Sequence, residues 1–283
     1  MQNVISGDGG AVAILMCVHR GADPLQFAAA LRSMQQQTTV DVRIYLYADG
    51  PLSPAHEAVI TQLRCDDGGN RLFRGERPAG LPHGLNTLID AALTDPTITF
   101  LARMDADDLS LPHRIARQVT YFGSHPDVDV AGTWCIEFNE PGVPIFHKRL
   151  PTTHADLTRF MLYRSPFNHP TVMFRRTVLD GGFRYDPALP LMQDYDLWRR
   201  LVVAGYRIGN VPEYLLWFRV EDQFFTRRSG VTRAAREIRM RIDYARAIDQ
   251  LKLRNYAKYM GLFAVRTAPV WLKRLSYKYL RTT

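Results

Sequence analysis

The chain has 283 residues, 46% of them hydrophobic, enough for one large domain or a domain with an appendage. Its three cysteines, Cys17, Cys65 and Cys135, share no paired spacing, which argues against a disulfide framework or a zinc site and fits a reducing compartment. Residues 251–283 carry eight of the 36 basic residues and none of the 28 acidic ones, so the first 250 hold 28 of each sign; that balance excludes a basic nucleic-acid groove over the body of the protein.

Residues 1–10 read as a flexible lead-in. Residues 11–18 (AVAILMCV) form an unbroken apolar run, the pattern of a strand buried on both faces. Pro24 opens a helix with Phe27, Leu31 and Met34 on one face. Residues 42–48 give a second strand ending in the turn Asp49-Gly50-Pro51, followed by a helix over 54–65 and a short strand over 71–74. Leu81, Leu85, Leu88 and Ala92 mark the next helix. Residues 97–104 form a strand that ends at Asp105-Ala106-Asp107-Asp108, and Pro112 starts a helix with Ile115, Val119 and Phe122 in line. Further strands are expected over 128–138, 171–174 and 214–219, and a helix over 194–204. No linker marks a second domain, and a helical appendage begins near Val231. No apolar run approaches the length that spans a bilayer, so a soluble or peripheral protein is expected.

Strands alternating with helices predict an α/β fold with a mostly parallel sheet, and in such sheets ligands gather beyond the carboxyl ends of the strands. Cys17, His19, Asp49 and the Asp105–Asp108 cluster all fall at those ends. Crowded carboxylates repel unless a cation or hydrogen bonds offset them, and oxygen-only ligands suit Mg²⁺ or Mn²⁺. The competing reading is that Asp108 and Ser110 cap the helix after Pro112. Asp49 can accept from a nucleobase N–H or simply make the turn. Gly80 and His83 stand where a helix N-terminus can meet a phosphate, or where a loop glycine precedes a normal helix.

Residues 11–19, 33–37, 48–52, Gly80-Leu81 with Leu85-Asn86, and Ala102-Arg103-Met104-Asp105-Ala106-Asp107-Asp108 follow the order of motifs in family 2 glycosyltransferases. Residues 164–174 (RSPFNHPTVMF) and 193–198 (QDYDLW) resemble the branch that builds bacterial exopolysaccharide and O-antigen repeats. The resemblance covers roughly residues 11–230. It implies a GT-A fold and an inverting transfer of a hexose, galactose or glucose, from a UDP-sugar to a hydroxyl of a polyprenyl-diphosphate-linked or other glycan acceptor. By the same resemblance Cys17, His19 and Asp49 surround the uridine, Gly80 and His83 lie along the nucleotide, Asp105 faces the ribose or metal, and Asp107 holds the metal. Asp194 is the implied general base, Arg227 and Arg228 neutralise the leaving diphosphate unless they are a solvated pair, and Asn168, His169 and Gln193 line the acceptor or donor-sugar pocket. From the residues alone, Asp194 reads as an N-cap and His169 as a structural loop histidine. The chain departs from the family pattern at Ala48, at His19 and at Gln193, where an acid, an aromatic and a glutamate are usual.

A sugar nucleotidyltransferase would carry a glycine-rich basic loop after the first strand, and His19-Arg20-Gly21-Ala22-Asp23 is not one. A non-catalytic relative that binds glycan or nucleotide sugar would have lost the acids, which are present. Residues 231–283 are expected to form a basic helical appendage; its final stretch mixes cations with Tyr256, Tyr259, Phe263, Trp271, Tyr277 and Tyr279. That mixture suits an anionic membrane surface, here the cytoplasmic face of the plasma membrane, or else a helical pair packed on the domain.

Overall fold

The computed structural model describes residues 10–220 and 231–267, apart from residues 39, 64, 66–68 and 190. The elements run β1 (Ala11–His19), α1 (Pro24–Gln35), β2 (Val42–Asp49), α2 (Pro54–Ile60), β3 (Arg71–Arg74), α3 (Leu81–Leu93), β4 (Ile98–Met104), β5 (Leu109–Ser110) and α4 (Arg114–Ser124). They continue through β6 (Val130–Phe138), β7 (Pro144–Lys148), α5 (His154–Phe160), β8 (Met173–Arg175), α6 (Arg176–Asp180), α7 (Gln193–Val203), β9 (Ile208–Arg219), α8 (Val231–Ala247) and α9 (Leu253–Thr267). The second helix stops at Ile60, short of the expected residue 65, and β7, α5 and α6 were not anticipated.

One sheet has the order β3-β2-β1-β4-β8-β6-β9-β5, and β7 pairs with the later half of β6, Cys135–Phe138, beyond the part that β8 pairs. The half from β3 to β4 is parallel, as the alternation predicts. Beyond it the sheet is mixed: β8 runs antiparallel to β4 and β6, β9 is parallel to β6, and β5 and β7 add antiparallel pairs. β1 shows why its sequence is apolar throughout. Ala11, Ala13 and Leu15 join the core under α3, α6, α7 and α8, while Val12, Ile14, Met16 and Val18 join the core under α1, α2 and α4. Successive strand side chains point to opposite faces, and helices cover both.

Capping starts the early helices where the sequence places them. Asp23 accepts from the Leu25 and Gln26 N–H groups at 2.7 and 3.1 Å, and Pro24 follows at the first helical position. α8 packs on the body, since Met240, Tyr244 and Ala245 belong to the same core as Trp198. α9 docks through buried Asn255 and Tyr259, with Arg266 paired to Glu237 at 3.0 Å. For residues 251–267 the packed alternative therefore holds on one helix face; Trp271, Tyr277 and Tyr279 lie outside the described residues.

Candidate active site

Parallel register brings the ends of β1, β2 and β4 to one edge: Cys17 pairs with Tyr47, His19 with Asp49, and Met16 with Met104 one residue before Asp105. Four of the sequence-predicted residues, Cys17, His19, Asp49 and Asp105, thus share a rim. Burial pushes the half-buried Cys17 thiol up to about 12, which keeps it protonated. His19 is exposed, and its Nδ1 accepts the Gly21 N–H at 3.0 Å. The Asp49 carboxylate holds the loop before α3, accepting from Ala79 N at 2.7 Å and Gly80 N at 3.1 Å. Gly80 takes φ +88°, the left-handed region that favours glycine, and gives α3 no side-chain cap. His83 is exposed on the first turn of α3, edge-on to the Tyr47 ring at 5.9 Å.

After β4 the chain turns through three carboxylates. Oxygens of Asp105, Asp107 and Asp108 lie within 4.8 Å of one another. Their positions are imposed from both sides. Arg103, only 2% exposed, forms an ion pair with Asp105. Arg219, at the end of β9, donates its backbone N–H to Asp108 Oδ1 at 2.7 Å and its Nε to the Asp107 carbonyl at 2.9 Å. Asp108 does not cap a helix: α4 begins at Arg114 with His113 before it and no side-chain cap, and the Ser110 hydroxyl donates to the Leu111 carbonyl. Asp108 is 1% exposed with Oδ2 unpartnered, and burial, then Asp105 and Asp107, raise its carboxyl well above the ordinary range. Three oxygen donors this close, one of them buried and orphaned, fit a hard divalent cation such as Mg²⁺ or Mn²⁺.

α7 packs on His169 and Tyr185 through Trp198, with ring centroids 6.0 and 6.5 Å apart. Its N-cap is Met192, a non-glycine residue with φ 68°, and Gln193 and Asp194 form the first turn. Asp194 is therefore inside the helix rather than its cap, partly exposed, at the end where backbone dipoles favour a carboxylate. Gln193 Oε1 is buried and unpartnered. Burial pushes the pKa of the Tyr185 hydroxyl up, Arg103 works against that, and Asp194 and then Asp105 add to it. Tyr185 also exchanges a hydrogen bond with His169 Nε2 at 2.9 Å, and its backbone is clamped in both directions by Asn86 at 2.8 and 2.9 Å. Burial, then Arg103, hold His169 well below the usual histidine range, so the ring is neutral. Asn168 turns inward instead, donating to the Thr133 carbonyl at 2.9 Å. It holds the loop in place. Arg227 and Arg228 lie outside the described residues.

Sequence reasoning placed Asp108 in the acidic cluster, with a helix cap as the competing reading, and missed Arg103, Tyr185 and Arg219 as site residues. A lone cation inside the apolar stretch of β4 was the available signal for Arg103. Nothing local marks Arg219, which meets the acidic turn only through the sheet.

A mixed sheet whose parallel half ends in an acidic, cation-ready turn, flanked by helices, is the arrangement of a GT-A nucleotide-diphospho-sugar transferase fold. Solved structures agree on the fold. S. aureus TarS 1–349 in complex with UDP-GlcNAc superposes with a TM-score of 0.61 at 13% identity, covering 92% of this chain and 82% of that one. Mannosyltransferase PcManGT from Pyrobaculum calidifontis, in complex with GDP-Man and Mn²⁺, gives 0.62 at 13% identity over 98% and 82%. This chain covers 49% of a longer TarS chain. The glycosyl transferase family 2 model matches residues 13–183, and the chain belongs to that family. It is 34% identical over 217 residues to the amylovoran biosynthesis glycosyltransferase AmsE of Erwinia amylovora, covering 77% of this chain and 79% of that protein. It is 27% identical over 262 residues to the UDP-Gal:alpha-D-GlcNAc-diphosphoundecaprenol beta-1,3-galactosyltransferase of Escherichia coli, covering 90% and 88%. The chain is a glycosyltransferase of polysaccharide biosynthesis.

Proposed function

We propose that this glycosyltransferase moves a hexose, galactose or glucose, from a UDP-sugar to a hydroxyl of a polyprenyl-diphosphate-linked oligosaccharide, with inversion, at the cytoplasmic face of the plasma membrane. The catalytic domain is residues 11–230, and residues 231–283 form the basic helical appendage. The observation that carries the reading is the turn after β4, where oxygens of Asp105, Asp107 and Asp108 lie within 4.8 Å of one another at the carboxyl end of the parallel half of the sheet. The galactosyltransferase relative supports the donor and the lipid-linked acceptor.

When bound at Asp105, Asp107 and Asp108, a divalent cation supplies positive charge against the diphosphate. The rest is done by the chain. Asp49 fixes the loop along which the nucleotide lies, with Cys17, His19, Gly80 and His83 around it. Asp194 takes the proton of the acceptor hydroxyl as its oxygen bonds to the anomeric carbon and the bond to the diphosphate oxygen breaks. Gln193 and His169 border the sugars, and Arg227 and Arg228 meet the charge that develops on the departing nucleotide. A nucleotide-release screen of the purified protein against UDP-, GDP- and dTDP-sugars tests this. Turnover is expected with UDP-galactose or UDP-glucose and an N-acetylglucosamine-diphosphate lipid analogue; release from GDP- or dTDP-sugars alone would overturn the donor assignment.

A further inference from the structure

The basic end of the chain raises the question of what α9 does with its outer face. Asn255, Tyr259 and Arg266 turn toward the protein, but Leu253, Tyr256 and Met260 are 87%, 41% and 66% exposed. Their spacing of three and four residues aligns them on one side of the helix. At the start of α9 the body leaves a cavity of about 460 Å³, lined by His154, Thr158 and Arg159 of α5 and by Ile248, Gln250, Lys252 and Arg254. No lining residue is acidic. Arg159 has Asp156 at 3.7 Å, whereas Lys252 and Arg254 have no carboxylate at ion-pair distance among the described residues. Further along, the Lys258 ammonium sits over the Tyr163 ring at 4.4 Å.

We propose that the outer face of α9, from the cationic cavity at Lys252 and Arg254 to Met260, is the surface by which this protein lies on an anionic lipid bilayer. The cavity accepts lipid phosphates, and Leu253, Tyr256 and Met260 enter the headgroup layer. An apolar ridge flanked by cations, on a helix that itself carries no acid, is the composition that binds there. The direction of the helix fits a lipid-borne substrate. α9 has 15 residues and so extends roughly 22 Å. Its far end, through Arg266, meets Glu237 on α8, and Arg233, one turn before Glu237, is within electrostatic reach of Asp194. A helix lying on the membrane would thus lead from the phosphate-binding end toward the base. The inference rests on the lipid-linked acceptor proposed above.

Co-sedimentation of the full chain with phosphatidylglycerol-containing vesicles, and with phosphatidylcholine vesicles as the neutral control, tests the surface. The unaltered protein should bind the anionic vesicles and release as salt rises. Lys252→Ala with Arg254→Ala should weaken binding about 25-fold, at about fivefold for each cation. Leu253→Asp with Met260→Asp should weaken it roughly tenfold or more. All four side chains are exposed, so circular dichroism should report unaltered folding, and nucleotide release with a water-soluble acceptor should stay at the unaltered level. Equal binding by both double variants, or equal binding to neutral vesicles, would overturn the proposal. So would a dimer in sedimentation that Leu253→Asp dissolves, since the face would then belong to a second copy. Turnover by a protein that ignores vesicles removes the surface and leaves the transferase reading standing; vesicle binding without turnover supports the surface and removes the other.

Discussion

Arg219 donates its backbone N–H to Asp108 across 2.7 Å, joining residues 111 apart in sequence. The last strand of the sheet thereby closes the acidic turn that follows β4, and the short β5–β9 pairing of Leu109 with Trp217 reinforces it. One oxygen of Asp108 is held, and the other is left buried without a partner. A cation there would satisfy that oxygen and relieve the repulsion among the three carboxylates.

Replacing Asp107 by Asn should leave the fold intact, weaken Mn²⁺ binding in calorimetry with UDP present, and lower turnover by about two orders of magnitude or more. EDTA should inhibit the unaltered enzyme. Full activity of the variant in chelator would remove the metal assignment.

His169 gives a pH dependence of stability. Its folded pKa lies well below the ordinary value of 6.5, so the unfolded chain binds the extra proton first as pH falls. Its contribution is fully present above about pH 6.5 and is lost as pH falls toward the depressed folded pKa, at no more than about 1.4 kcal/mol per pH unit. His169→Gln should flatten the acid limb of thermal unfolding measured between pH 7.5 and 5. Parallel curves for the two proteins would contradict the placement of the ring.

Gly84, in the first turns of α3, should not tolerate alanine. A Cβ there would stand 2.7 Å from Tyr47 Cδ1 and 2.9 Å from Cys17 Sγ. Overpacking of this kind costs about 1–3 kcal/mol, against a gain of about 1 kcal/mol in helix propensity. Gly84→Ala should lower the melting temperature and weaken UDP binding. A more stable variant with unaltered UDP affinity would show that the nucleotide wall is softer than described.

The parallel half of the fold was legible because its strands are buried on both faces and its helices carry clear apolar stripes. Residues 11–18 and the stripe Phe27, Leu31, Met34 leave little choice. β7 was not legible: its five residues form an edge strand with mostly exposed side chains and no apolar alternation. α6 has five residues, too few for a helical period to show. At the site, the rim residues could be read from strand ends, but their roles could not. Asp108 and Ser110 fit a helix cap in sequence, and only the return of β9 beside them shows that Asp108 is engaged elsewhere. Buried Arg103 and Arg114 were equally opaque, since a sequence marks where a cation is and not that a core surrounds it. Arg114 bridges the Arg103 and Pro170 carbonyls at 2.7 and 3.2 Å, and burial lowers its pKa to about 9.

The most direct test of the account is the stereochemistry of transfer and its dependence on Asp194. The unaltered enzyme is incubated with UDP-galactose, Mn²⁺ and an N-acetylglucosamine-diphosphate lipid analogue, and the new linkage is read by NMR beside the UDP released. The account predicts one β-linked product per UDP, and an Asp194→Asn variant that binds UDP with near-unaltered affinity while kcat falls by about two to four orders of magnitude. An α-linked product, or an Asp194→Asn variant that turns over at the unaltered rate, would contradict it.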